Sequence, residues 1–169
     1  MKDNFAECLA HVLQSEGGWA DDPRDSGGAT MKGITLATYE QYKGRHATKD
    51  ELRAISDEDL AAIYRQGYWD KMRCDDLPAG IDLVAFDAAV NSGPGASAKW
   101  LQRAAMVPAD GVIGPVTIKA VNALNRRQVI NAALDNRLNF LRTLPTFGHF
   151  GKGWTARIAR VRSAASLME

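Results

Sequence analysis

The chain has 169 residues, 46% of them apolar, enough for one domain with a substantial core and no disulfide staple. Its formal net charge of +1 hides an asymmetry, because residues 1–90 carry 10 Lys+Arg against 17 Asp+Glu and residues 91–169 carry 11 against 3. No window reaches the roughly 18 to 20 uninterrupted apolar residues of a membrane span, and Lys2 before Asp3 makes no signal peptide, so synthesis and folding in the cytoplasm are expected.

The basic half has two readings. It binds a polyanion such as an anionic cell surface or nucleic acid, or it attracts the acidic half and its remaining charge is solvated. No nucleic-acid reader motif accompanies it, which argues against that class. Cys8 and Cys74, far apart in a chain without an export signal, read as buried free thiols rather than a pair. His11, His46 and His149 have no metal-ligand spacing, so no metal or cofactor is expected.

Phe5, Cys8, Leu9 and Val12 recur at i, i+3, i+4 and i+7, which predicts an amphipathic helix over 4–16 stopped by Gly17. Glu16 then falls in the last helical turn, where the negative end of the macrodipole disfavours the ionised form and suits a proton donor. Residues 19–35, rich in Gly, Asp and Pro, read as turns with one small β-hairpin. Short helices follow over 36–43 and 49–55, the second opened by a Thr48/Glu51 capping box, and Ser56 with Asp59 opens a third running toward Trp69. After Pro78, residues 81–90 are apolar around most of the circumference and predict a buried central helix. Further helices are predicted near 95–105, 114–124, 126–143 and 152–166, without an internal repeat or long linker. The fold class is mainly α, one helical domain around that central helix with a small β-hairpin near Glu16.

The chemistry concentrates in Glu16-Gly-Gly-Trp19 and Asp25-Ser-Gly-Gly28-Ala-Thr30. Hydrolysis of a sugar chain needs a proton for the leaving oxygen and a carboxylate that activates water or stabilises the oxocarbenium-like state. Glu16 is the natural donor and Asp25 the natural base or counter-charge. Thr30 offers a hydroxyl to hold water, Trp19 a flat face for a sugar ring, and Gly28 room for a saccharide. The competing structural reading makes Glu16 a solvated helix-end carboxylate, Asp25 a turn former and Thr30 a strand residue. Tyr64, Tyr68 and Trp69 either line a groove or belong to the core. Asn91 either reaches an acetamido group or caps its helix.

The stretches Glu16-Gly-Gly-Trp, Asp22-Pro23, Asp25-x-Gly27-Gly28-Ala29-Thr30 and Lys32-Gly33-Ile34-Thr35 resemble the signature of glycoside hydrolase family 108 N-acetylmuramidases, found among phage endolysins and bacterial peptidoglycan-remodelling proteins. The resemblance continues through Tyr68-Trp69-Asp70, Asp76-Leu77-Pro78-Ala79-Gly80, Phe86-Asp87-x-x-Val90-Asn91-Ser92-Gly93, Leu101-Gln102, Asp110-Gly111-x-Ile113-Gly114 and Gly153-Trp154-x-x-Arg157. It implies a lysozyme-like fold and cleavage of the β-1,4 bond between N-acetylmuramic acid and N-acetylglucosamine, with Glu16 catalytic. The spacing from Glu16 to Asp25 to Thr30 also resembles the Glu, Asp, Thr triad of phage-type lysozymes, with four residues in the second gap where those have five. Trp19 stands where tyrosine is usual, and Ser26 where proline often follows the aspartate.

The same resemblance implies a catalytic lobe at 1–94 and a helical peptidoglycan-binding lobe at 95–169, and because no linker precedes the second it is expected to pack on the first as one compact domain over 1–169. Glycan strands of peptidoglycan are the implied partner, a holin the implied export route, the periplasmic wall the implied place of action, and a monomer the implied state. Lytic transglycosylase action on the same bond, and a non-catalytic wall-binding or secretion-assisting role, are the alternatives. Trp154, Ile158, Val161 and Ala165 form an apolar stripe flanked by Lys152, Arg157, Arg160 and Arg162. That helix contacts an anionic membrane or lipopolysaccharide, or it packs its stripe on the domain, the default for a one-sided helix.

Overall fold

The computed structural model describes residues 4–22 and 27–168. Contacts divide the chain into two compact units, Met1–Cys8 with Tyr68–Glu169, and Leu9–Gly67. The sequence boundary at 94/95 separates motif blocks, whereas this division follows packing, and it keeps the central helix with the helices that follow it. Among the described residues the fold is mainly α with one small sheet.

Helix α1 (Phe5–Leu13) buries Phe5, Cys8, Leu9 and Val12, as its periodicity requires. It ends three residues earlier than predicted. The N–H groups of Gln14, Ser15 and Glu16 donate to the carbonyls of His11, Val12 and Leu13 at 3.3, 3.0 and 3.2 Å, and these i→i−3 bonds tighten the chain into turns. Glu16 therefore stands beyond the last helical turn, and the placement argued from the macrodipole is corrected.

In the smaller unit, strands β1 (Trp19–Ala20), β2 (Thr30–Met31) and β3 (Ile34–Thr35) form an antiparallel sheet in that order. Trp19 pairs with Met31, and Thr30 pairs with Ala20 on one side and Thr35 on the other. The β2–β3 loop is Lys32-Gly33, with φ of 47° and 79°, the doubly left-handed form that matches strand twist. Helix α2 (Leu36–Lys43) starts on Thr35, whose hydroxyl accepts from Thr38 N–H. Helix α4 (Asp57–Tyr64) starts on Ser56 in the same way.

Between them, α3 (Lys49–Arg53) carries the predicted capping box, with Glu51 N–H donating to Thr48 Oγ1 at 3.1 Å and Thr48 N–H to Glu51 Oε2 at 2.7 Å. Arg45 reaches the same carboxylate at 2.6 Å. The hydrogen bond from Arg45, followed by that from Thr48, lowers the Glu51 pKa from an ordinary 4.5 to about 2. A lowered carboxyl pKa contributes stability that is complete above the unfolded value and lost as pH falls through the folded one. Acid titration of the wild type followed by circular dichroism should therefore lose stability between pH 4.5 and about 2, and Glu51→Gln should flatten that part of the curve. Identical acid curves would remove the argument.

A π turn (Arg65–Trp69) leads into the larger unit, followed by a 3₁₀ turn (Cys74–Asp76). Helix α5 (Ile81–Ser92) is buried from Ile81 to Ala89 and is the predicted central helix. Against it pack α6 (Pro94–Ala104), α8 (Arg126–Arg142) and α9 (Phe147–Leu167), and α7 (Pro115–Ala123) packs on α8. Trp69 meets Phe5 and Phe86 edge-on, with centroids 5.2 and 5.4 Å away. Asp82, buried at the start of α5, accepts from Asn4, Gly80 and Leu83 while burial raises its pKa. Cys8 and Cys74 are free and buried, and burial pushes both thiols up.

The Gln102 and Asp110-Gly111 motifs meet in one contact set. Gln102 Nε2 donates to Asp110 Oδ1 at 2.7 Å and Val112 O at 3.0 Å, and its Oε1 accepts from Gly111 N–H at 2.9 Å, so one buried amide shapes the loop before α7. Helix α9 begins five residues before the predicted start. Ile158, Val161 and Ala165 of its stripe are buried, and Trp154 forms the half-buried end.

Candidate active site

Glu16 is half-buried, and its carboxyl is held against the backbone of the β2–β3 loop. A β-carbon placed on Gly33 would lie 2.8 Å from Glu16 Oε2 and 2.7 Å from the Tyr64 hydroxyl, so the two oxygens are neighbours over the same bare glycine. Tyr64, at the end of α4, is 1% exposed, and its hydroxyl donates to Lys32 O at 2.7 Å. From the other side Lys32 N–H donates to Gly18 O at 3.3 Å. The Lys32 backbone is thus gripped on both sides, at its N–H by the segment carrying Glu16 and at its carbonyl by the Tyr64 phenol. A positioned carboxyl packed on a rigid loop is what proton delivery to a leaving oxygen needs.

The sequence weighed Tyr64 as groove or core, and it serves as both core ring and hydroxyl anchor. The Lys32-Gly33 motif was the available signal, but pattern alone does not tell that its glycine faces Glu16. Gly33→Ala should cut activity at least about tenfold, since the methyl meets the Glu16 carboxyl and a left-handed alanine costs about 1–2 kcal/mol. Gly44→Ala, with φ of 67° and open space around it, carries the backbone strain alone. Assays of both on purified cell wall separate the two effects, and equal activity losses would show that displacement of Glu16 is not involved.

Thr30 occupies the central strand, half-buried, two residues before the Lys32–Gly33 loop. Trp19 is half-buried on β1, and the Arg53 guanidinium lies over its ring at 5.6 Å. One indole face is therefore shared with a cation. Gly28 is exposed with φ of 68° and open space beside it. Asp25 lies outside the described residues.

Tyr68 and Asn91 belong to the larger unit. Tyr68 is half-buried in the π turn. Asn91, in the last turn of α5, accepts on Oδ1 from Arg137 Nη2 at 2.9 Å and Ser92 Oγ at 3.2 Å. Arg137 also donates to Asp87 Oδ2 at 2.6 Å, and Arg157 Nε donates to Asp87 Oδ1 at 2.9 Å. One buried carboxylate is shared by two buried guanidiniums, and Arg137 Nε is buried with no hydrogen-bond partner among the described residues. Burial pulls the Arg137 pKa down against the opposing pull of Asp87. In the sequence the members of this network stood in separate motifs, Asp87 and Asn91 in one and Arg157 in another, with no sign that they meet.

Residues 9–93 match the family described as Glycosyl hydrolase 108, and residues 96–159 match a Predicted Peptidoglycan domain. No curated protein matches the chain. The solved structure titled "Structure of Brucella abortus SagA" is 46% identical, covers 98% of this chain and 95% of its own, and superposes with a TM-score of 0.86. The fold is accordingly lysozyme-like and mainly α. With its family shown over half its length and a peptidoglycan segment behind it, the chain belongs to glycosyl hydrolase family 108 and is a glycoside hydrolase that acts on peptidoglycan.

Proposed function

We propose that the enzyme is an N-acetylmuramidase of the endolysin type, hydrolysing the β-1,4 bond between N-acetylmuramic acid and N-acetylglucosamine. The observation that carries this reading is the Glu16 carboxyl, half-buried and held against Gly33 beside the Tyr64 hydroxyl. Glu16 protonates the glycosidic oxygen as the bond to the anomeric carbon breaks. Asp25 activates water or stabilises the oxocarbenium-like charge, and Thr30 holds the water. Trp19, Gly28, Tyr68 and Asn91 contact the saccharide.

The same reading has the enzyme made in the host cytoplasm as a monomer, passed through a holin-type pore, and active on the periplasmic wall. Among the described residues no helix is long and apolar enough to cross a membrane. Incubation with purified sacculi tests the catalytic claim. Soluble muropeptides with new reducing ends are expected, whereas a protein that sediments with sacculi and releases nothing is a wall binder and ends the proposal.

A further inference from the structure

Where α8 ends and α9 begins, the larger unit leaves aromatic surface in water. Phe140 is 45% and Phe150 48% exposed. Phe150 packs on Trp154 with centroids 5.6 Å apart, and Trp154 packs on Phe147 at 6.2 Å. Trp154 and Phe140 line one pocket of about 290 Å³ together with Leu141 and Leu144, and Phe140 leans on Trp100 at 5.6 Å. Phe140, Trp154 and Phe150 are therefore one continuous patch rather than scattered apolar side chains, and a continuous patch marks a place of contact.

The fold does not require these rings to be exposed. Helix α9 makes its contact with the domain further along, through the buried Ile158, Val161 and Ala165. Its first two turns contain Gly148, Gly151 and Gly153, poor helix formers, and a β-carbon on Gly151 would meet the Phe147 ring at 2.8 Å. Ring packing thus shapes this segment, and the outer rings are left facing solvent.

The charge around the patch has one sign. No Asp or Glu occurs from Asn136 to Met168. Arg162 is neutralised by Asp135 at 2.6 Å, whereas Arg142, the last residue of α8, and Lys152, two residues after Phe150, are exposed. His149 is also exposed, edge-on to Phe150 at 4.4 Å.

Aromatic rings with cations nearby and no carboxylate fit the interface of an anionic bilayer. There the rings lie at headgroup level and long basic side chains reach the phosphates. A second copy docked symmetrically through the same face would bring Arg142 and Lys152 toward their own copies, like charge against like. We infer that the junction of α8 and α9 is a docking surface for an anionic phospholipid bilayer. Phe140, Phe150 and Trp154 enter the interface, and Arg142 and Lys152 meet lipid phosphates. The surface is independent of which glycosidic bond the enzyme cleaves.

The test sediments full-length protein with vesicles of phosphatidylglycerol and phosphatidylethanolamine, and in parallel with phosphatidylcholine vesicles. The anionic vesicles should carry the protein down at low salt, release it at about 0.5 M salt, and outdo the neutral vesicles. Phe140→Ser with Phe150→Ser, and separately Arg142→Gln with Lys152→Gln, should each lower the partition coefficient at least about tenfold. These four side chains are exposed, so circular dichroism should be unchanged.

Wild-type protein at background on anionic vesicles, equal binding to both lipids, or an unchanged partition coefficient in either folded double variant overturns the inference. The phenylalanine pair is also tested for binding to sacculi in the Glu16→Gln background. Loss of sacculus binding there, with vesicle partition unchanged, would assign the patch to the wall and likewise overturn it.

Discussion

Glu16→Gln should lower the rate of muropeptide release from sacculi by on the order of 10² to 10⁴, the usual cost of losing a general acid. The substitution is nearly isosteric, so the packing against Gly33 survives and circular dichroism should be unchanged. A glutamine cannot deliver the proton that the leaving oxygen needs. The size of the effect matters because the Tyr64 hydroxyl is also close to this spot. A loss of only a few fold in a folded Glu16→Gln protein would mean that another group supplies the proton.

The second large effect is on stability. Asp87→Asn should cost about 3–5 kcal/mol, because it leaves the buried guanidinium of Arg137 without its counter-charge and takes an ion pair from Arg157. For a chain of this size that corresponds to a fall in melting temperature on the order of 10 °C, read by differential scanning calorimetry. Adding Arg137→Met should recover part of the loss, since the remaining charge imbalance then shrinks by one. An additive double mutant, less stable still, would show that the ionic contacts are not what holds α5 to α8 and α9. The network also supports Asn91, so Asp87 variants that fold should show altered Asn91 side-chain signals.

The sequence was most informative where structure is decided locally. The bounds of α2 and the capping box of α3 follow from Thr35, Thr48 and Glu51, side chains that satisfy backbone groups within three residues. The central helix followed from an apolar run too continuous for a surface. Local signals misled at two helix ends. Gly17 marked a stop for α1, but the helix gave way to i→i−3 turns after Leu13, which took Glu16 out of the last helical turn.

At the other end, Gly148 and Gly151 read as loop, yet α9 starts at Phe147. Phe147, Phe150 and Trp154 share one helical face and pack together, and the Phe147 ring lies where a β-carbon on Gly151 would sit, at 2.8 Å. Tertiary packing here outweighs the low helix propensity of glycine. The candidate site divides the same way. Glu16 was visible as a carboxylate beside a glycine-rich turn, whereas its place over Gly33, where the Tyr64 hydroxyl also lies, depends on a hairpin and a helix that pattern reading cannot bring together. The link from Asp87 to Arg137 and Arg157 spans 50 and 70 residues, beyond any local rule.

The most direct measurement is mass spectrometry of the muropeptides released from sacculi by the wild-type enzyme. Hydrolysis between N-acetylmuramic acid and N-acetylglucosamine should give fragments that end in reducing N-acetylmuramic acid, each carrying the added water. Fragments ending in anhydro-muramic acid would instead identify a lytic transglycosylase, and fragments ending in reducing N-acetylglucosamine would place the cut at the other glycosidic bond. Either of those products contradicts N-acetylmuramidase action.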